Sequence, residues 1–219
     1  ESYHMVYKKK LKMALKLNHL NEKNNLKING IIHIGIHWGE EHESYIEMGV
    51  KNLLYYEADP NNYQVCKEYI KNIKSDASVK LINMALGDTN DIMEFNISSN
   101  DSESSSFLKP KKHLNQYPWI HFSKKIEIQL NRLDDIIEDS ELYNTIVIDV
   151  QGFELNVLRG SFETLKKIDY IMTEINVDET YEGCCLVSEL DTFLSTFGFE
   201  RIETELCGST WGDALYIKK

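Results

Sequence analysis

Ile31-Ile32-His33-Ile34-Gly35-Ile36-His37-Trp38-Gly39-Glu40-Glu41, followed after a short amphipathic run by Leu53-Leu54-Tyr55-Tyr56-Glu57, decides how this chain folds. The apolar run Ile31 to Ile34 reads as a buried strand that ends at Gly35, where backbone must approach something closely. Gly39 opens a helix whose apolar side carries Tyr45, Ile46 and Met48 and which stops at Gly49. Leu53 to Tyr56 is a second buried strand, with Glu57 at its carboxyl end. The pattern is a βαβ unit with glycines at the first crossover and an acid about 20 residues on, an arrangement that grips a nucleoside.

The glycine spacing narrows the nucleoside. Gly35-x-x-x-Gly39 is not the Gly-x-Gly-x-x-Gly that admits a pyrophosphate to a helix N-terminus. It suits a nucleoside without phosphate, such as S-adenosylmethionine, with Glu57 accepting hydrogen bonds from the ribose hydroxyls. The alternative is an ordinary strand-to-helix turn, so the rest of the chain must decide.

With 219 residues, 42% hydrophobic and 27% charged, the sequence reads as a soluble α/β domain with a sizeable core. No run of about 18 apolar residues and no secretory signal is visible, which argues against stable membrane insertion. A formal net charge of −11 argues against nucleic acid as the main partner. The clusters Lys8-Lys9-Lys10 and Lys109-Pro110-Lys111-Lys112 read as solvated faces. Cys66, Cys184, Cys185 and Cys207 have neither zinc-ligand spacing nor disulfide-scaffold density, so reduced thiols and a cytoplasmic location fit best. The first residue is Glu1, which points to a domain excised from a larger protein.

Residues 1–25 read as a helical preface, basic over Lys8 to Leu20, and residues 26–219 as the main domain. Asp59-Pro60 begins a helix, with Asp59 as N-cap and Pro60 in the first turn. Lys80 to Leu86 reads as a third strand ending at Gly87-Asp88, Ile92 to Ile97 as a short added strand, and Lys125 to Leu130 as a half-buried one. Between them, residues 98–122 form a long polar and aromatic stretch of the kind that is either a functional lid or a disordered segment. Its serines alone favour a linker, and its aromatic and apolar residues favour order on a surface or against a ligand. Thr145 to Val150 is a strongly buried strand carrying Asp149, and the Gln151-Gly152 turn leads into a helix from Phe153. Asp169 to Ile175 is the next strand, with Glu174 near its end, and Cys184 to Phe197 reads as an amphipathic helix. Phe199 to Leu206 and Ala214 to Ile217 are joined closely enough only for an antiparallel hairpin. A mostly parallel sheet ending in such a hairpin separates this chain from a dehydrogenase, which repeats βαβ units throughout.

These segments resemble the FkbM family of class I S-adenosylmethionine-dependent methyltransferases. The likeness runs from Ile31 to the C-terminus. It rests on His33 to Glu41, Tyr56-Glu57-Ala58-Asp59-Pro60, Asn83 to Asp88, Ser104-Ser105-Ser106, Asp149 to Gly160, Thr173-Glu174 and Trp211 to Tyr216. Asp149-Val150-Gln151-Gly152-Phe153-Glu154 is the most distinctive run. The resemblance implies a Rossmann-like α/β fold: a mostly parallel seven-stranded sheet, a C-terminal antiparallel hairpin and helices on both faces. It also implies methyl transfer from S-adenosyl-L-methionine to a hydroxyl of a saccharide, for instance a deoxyhexose such as rhamnose. The family's domains also stand beside glycosyltransferases in glycan-building proteins, including those of large viruses. Covalently linked glycosyltransferase domains are therefore implied, with the host cytoplasm as the location in the viral case.

Two departures stand out: His33 replaces the family's usual acid, and Gln151 its usual Glu. Glu41 is then a candidate for the cofactor's ammonium end. The candidate cofactor residues are Gly35, His37, Gly39, Glu41, Glu57, Ala58, Asp59, Gly87, Asp88, Ser105 and Gln151. The candidate catalytic residues are Asp149, Glu174 and His113. Asp149 ends a central strand, where open α/β sheets bind ligands, and a sugar hydroxyl needs a base as it is methylated. Asp149 and Glu174 could instead hold a divalent metal, which is not favoured, and no metal ligand is assigned. Tyr117, Trp119 and Trp211 are candidates for stacking on a sugar. The competing reading is a non-catalytic cofactor- or glycan-binding module of a multidomain glycosylation protein.

Overall fold

The computed structural model describes residues 15–219. Of the basic helix expected over Lys8 to Leu20, residues 8–14 lie outside that range. The first described helix, α1, is Leu17–Asn24. The elements then run β1 (Gly30–Ile34), α2 (His42–Glu47), β2 (Asn52–Glu57), α3 (Pro60–Lys71), β3 (Ser78–Asn83), β4 (Ala85–Leu86) and β5 (Asp91–Ile97). They continue with α4 (Lys112–Gln116), β6 (Lys124–Asn131), α5 (Leu133–Ile136), β7 (Thr145–Ile148), α6 (Glu154–Arg159) and α7 (Phe162–Leu165). The last are β8 (Tyr170–Asn176), α8 (Val187–Ser195), β9 (Phe199–Cys207) and β10 (Trp211–Lys218).

Seven strands form one sheet in the order β3-β2-β1-β7-β8-β10-β9. β10 runs antiparallel to both its neighbours, and the β1, β2, β3, β7 and β8 pairings are parallel. The expected mostly parallel sheet with its terminal hairpin is therefore present.

The period-2 geometry of the central strands sends alternate side chains to two cores. Ile32, Ile34, Leu54, Tyr56, Ile146 and Ile148 join Leu155, Val157, Leu158, Leu165, Leu190 and Leu194 of α6, α7 and α8 on one face. Ile31, Leu53, Tyr55 and Val147 join Leu17, Leu20, Tyr45 and Cys66 of α1, α2 and α3 on the other. Each such aliphatic side chain, fully buried, stabilises the fold by about 1.5–3 kcal/mol. His33 belongs to the second face. It is buried, with Nδ1 2.9 Å from the Tyr45 hydroxyl, so this residue points into the core rather than toward a ligand.

Three local expectations change. The strand expected over Lys80 to Leu86 is split. The Asn83 side chain donates to the Glu57 carbonyl at 2.8 Å and Met84 N to the same oxygen at 3.0 Å, which turns the chain. β4 then pairs with β6, and with β5 they make a separate three-stranded sheet. The helix expected from Cys184 starts at Val187, because Cys184 N closes a turn on the Tyr181 carbonyl. Glu189 reaches back to Leu186 N at 2.9 Å and fixes that start. The hairpin connection is shorter than the sequence suggested, since β9 runs to Cys207 and β10 begins at Trp211.

Candidate active site

Parallel strands deliver their carboxyl ends to one edge of the sheet, and there two cavities meet. The inner one lies beyond β1 and β2, between Gly35, Glu57, Asp59 and the rings of Phe95, Phe107 and Phe153. The outer one, about 490 Å³, lies beyond β7 and β8 under Tyr117, Trp119 and Trp211. Asp149, Gln151 and Glu103 line both.

Gly35 allows β1 and β7 to stay in contact at this edge. Its φ is +84°, and a Cβ there would sit 2.0 Å from the Asp149 carbonyl oxygen. The glycine therefore serves the close approach of Asp149 as well as the turn. His37 also takes a left-handed backbone, at φ +54°, a conformation costly for a residue with a Cβ. In that conformation its N–H donates to Glu57 Oε2 at 2.8 Å, while Asp59 N donates to Oε1 at 2.8 Å. Two backbone groups thus fix the Glu57 carboxylate at the mouth of the inner cavity. Such an oxygen pair can accept about four hydrogen bonds, enough for a vicinal diol as well.

The segment after β5 folds over this cavity. His37 Nε2 lies 2.9 Å from the Asp101 carbonyl and Nδ1 2.8 Å from Glu40 Oε1. Ser102 Oγ donates to Asp59 Oδ2 at 2.7 Å. Further along, Ser106 Oγ donates to the Gln151 carbonyl at 2.7 Å. With these bonds made, the inner cavity holds only about 50 Å³, far below the roughly 300 Å³ at which small-molecule pockets begin.

The outer cavity is built around carboxylates. Ile148 of β7 pairs with Thr173 of β8, so Asp149 and Glu174 follow side by side. Gln151 Nε2 donates to Asp149 Oδ1 at 2.8 Å and to Glu174 Oε2 at 2.7 Å. The Tyr181 hydroxyl lies 2.9 Å from the Ser104 carbonyl and 3.1 Å from Gln151 Oε1. Glu154 secures the turn from beneath, accepting from Gly152 N at 3.0 Å and Val150 N at 3.3 Å. Burial pushes the Glu154 carboxyl up to about 7 against the pull of those backbone donors.

His113 is buried in the same wall, with its ring against Tyr117, Phe122 and Tyr181. Burial lowers its pKa to about 4, so at neutral pH it is a neutral imidazole, and its Nδ1 has no hydrogen-bond partner. Because β10 starts beside the carboxyl end of β8, Trp211 pairs with Asn176 and reaches the cavity. Its indole N–H donates to the Tyr117 hydroxyl at 3.2 Å, and Trp119, 67% exposed, stands edge-on to Tyr117.

Of the residues singled out in the sequence, Gly35, His37, Glu57, Ala58, Asp59, Ser105, Gln151 and Asp149 line the inner cavity. Asp149, Gln151, Glu174 and His113 line the outer one. Four others lie elsewhere. Gly39 packs on α3, where a Cβ would meet Cys66 Sγ at 3.1 Å. Glu41 opens α2 through its carbonyl and adds to the field that raises the buried Tyr45 and Tyr55 hydroxyls. Gly87 sits against Leu130 and Phe153, and Asp88 accepts from Asn156 Nδ2 at 3.2 Å. Tyr181 and Ser102 were not singled out in the sequence. The only signal for Tyr181 is that it follows the strand bearing Glu174, and Ser102 carries none beyond its place in the polar stretch.

The pattern described as the methyltransferase FkbM domain matches residues 33–201. The 2-O-methyltransferase NoeI of Sinorhizobium fredii (strain NBRC 101917 / NGR234) is 33% identical over 162 residues, covering 70% of this chain and 65% of that protein. The chain thus spans slightly less than two thirds of the length of that relative. Among solved structures, magnesium protoporphyrin IX methyltransferase ChlM from Synechocystis PCC 6803 with bound SAM has a TM-score of 0.52 at 7% identity, over 91% of this chain and 74% of that one. An S-adenosylmethionine-dependent methyltransferase from Clostridium acetobutylicum ATCC 824 has a TM-score of 0.53 at 7% identity, over 94% and 91%. At these identities the two structures share the fold.

Proposed function

The chain belongs to the FkbM methyltransferase family, and from that premise we propose that it methylates a hydroxyl of a saccharide at the expense of S-adenosylmethionine. The observation that carries this reading is the position of Asp149, which lines both the inner cavity beside Glu57 and the aromatic-walled outer cavity. When bound, the cofactor supplies a methyl group on a positively charged sulfur, which an oxygen nucleophile can take as the sulfur leaves as a neutral thioether.

The residues fit such a group. Glu57, pre-aimed by two backbone N–H groups, holds the ribose diol. Phe107 and Phe153, with ring centroids 5.2 Å apart, offer apolar surface to a flat base. Loading requires the segment around Asp101 and Ser102 to lift, breaking its bonds to His37 and Asp59. Its return excludes water and commits the bound molecules.

In the outer cavity, Trp119, Tyr117 and Trp211 present the apolar faces that the C–H side of a sugar ring needs. Asn100, Thr180 and His113 supply hydrogen-bonding groups. Asp149 receives the proton of the reacting hydroxyl, and neutral His113, whose Nδ1 is buried away from the cavity, stands in its wall. Orientation supplies most of the rate, since displacement at a methyl carbon needs alignment above all. The NoeI relative is a 2-O-methyltransferase, which supports an oxygen acceptor. A deoxyhexose such as rhamnose, presented by linked glycosyltransferase domains in a longer protein, is the acceptor this reading favours.

The test is to incubate the protein with cofactor carrying a ¹³C-labelled methyl group and a panel of methyl glycosides that includes methyl rhamnoside. A new O-methyl carbon signal on one sugar is expected. Cofactor binding with no label on any sugar would contradict the reading and favour a binding module.

A further inference from the structure

We infer that the side-chain amide of Gln151 occupies, between Asp149 and Glu174, the place that a divalent cation or a shared proton takes between paired carboxylates, so that this site works without a metal. Its single nitrogen lies 2.8 Å from Asp149 Oδ1 and 2.7 Å from Glu174 Oε2, one hydrogen for each. A cation bridging those two oxygens would have to stand where that nitrogen stands.

The orientation of the amide is determined by its surroundings. Turned over, it would set an oxygen against two carboxylate oxygens with no hydrogen between them. The opposite end faces the Tyr181 hydroxyl, 3.1 Å from Oε1. Burial and the nearby carboxylates of Glu174 and Asp149 raise that hydroxyl well above its ordinary range, so it keeps its one hydrogen, which Oε1 shares with the Ser104 carbonyl at 2.9 Å. The backbone of Gln151 is braced too. It holds a φ of +55°, its carbonyl accepts from Ser106 Oγ, and Glu154 closes the turn on Gly152 N.

An uncharged double donor satisfies two buried carboxylates without adding a third negative charge or drawing in an ion. A glutamate in the same place would bring three carboxylates within hydrogen-bond distance, and they must then take up a proton or hold a cation. Gln151 is thus a positioning residue: it sets the direction in which Asp149 faces the acceptor. This role rests on the reading of Asp149 given above, but its metal-binding readout does not depend on turnover.

The experiment compares the wild-type chain with Gln151→Glu. Free Mn²⁺ is followed by electron paramagnetic resonance, and methyl transfer is measured against pH with and without chelator. The wild-type protein is expected to take up no Mn²⁺ and to keep its rate in chelator. Gln151→Glu is expected to bind Mn²⁺ and, in chelator at neutral pH, to lose about 10²-fold in kcat. Part of that loss should return on adding Mn²⁺ or lowering the pH. Wild-type turnover abolished by chelator and restored by Mg²⁺ overturns the inference. So does a Gln151→Glu protein with no Mn²⁺ binding and the wild-type pH profile, whatever its rate. If neither protein methylates any sugar, the saccharide reading fails, and Mn²⁺ uptake alone still decides the role of Gln151.

Discussion

Asp149→Asn lowers kcat by about 10²–10⁴-fold while the affinity for S-adenosylhomocysteine stays within a few-fold of wild type, the scale of a lost general base. The exchange keeps the shape of the side chain, and the backbone contacts of Asp149 to Ile34 and Gly35 do not involve it. It replaces one carboxylate oxygen by an NH₂ group. An asparagine can still accept from Gln151 Nε2 through its remaining oxygen, so the turn survives. What disappears is the capacity to take a proton from the acceptor hydroxyl. Stopped-flow single turnover with calorimetry on the same sample separates the two quantities. A variant with the wild-type rate would move the base elsewhere, with His37, His113 and His121 the next to test.

Glu57→Ala weakens cofactor binding by roughly 1.5–3 kcal/mol, about 10- to 150-fold in Kd, as charge-assisted hydrogen bonds to the ribose are lost. Stability falls as well, by about 1–3 kcal/mol. The buried N–H groups of His37 and Asp59 lose the carboxylate that both now donate to. Glu57→Gln separates the effects, because its one remaining acceptor oxygen can serve only part of that set. Calorimetry and thermal melting on the two variants give both numbers. Unchanged affinity in a folded Glu57→Ala protein would remove Glu57 from the ribose.

The sheet was legible because its signals are local. Uninterrupted apolar runs at Ile31 to Ile34, Leu53 to Tyr56 and Thr145 to Ile148 are what strands buried on both faces require. The short gap between the last two strands left only a hairpin. The position of Asp149 and Glu174 followed from the same logic, since both lie at or near the carboxyl ends of neighbouring parallel strands.

What the sequence could not reveal depends on which way a side chain turns. The spacing that marks Gly35 and Gly39 says nothing of the fact that Gly39 faces α3. His33 looks like a ligand position by alignment of the motif, yet strand alternation sends it to Tyr45. Gln151 looks like a lost carboxylate until its amide is found between two others. The bonds from Asp101 and Ser102 to the turns after β1 and β2 join residues 43 or more positions apart, and no periodicity reports such a contact.

The central claim is that the two cavities hold cofactor and sugar on either side of Asp149. A crystal structure with S-adenosylhomocysteine and a methyl glycoside tests it most directly. The ribose should lie on Glu57 and the sugar against Tyr117, Trp119 and Trp211. One sugar hydroxyl should be within hydrogen-bond distance of Asp149 and about 3–3.5 Å from where the transferred carbon would stand, in line with the sulfur. A nucleoside bound in the outer cavity, or a sugar whose hydroxyls all lie beyond reach of Asp149, would contradict it.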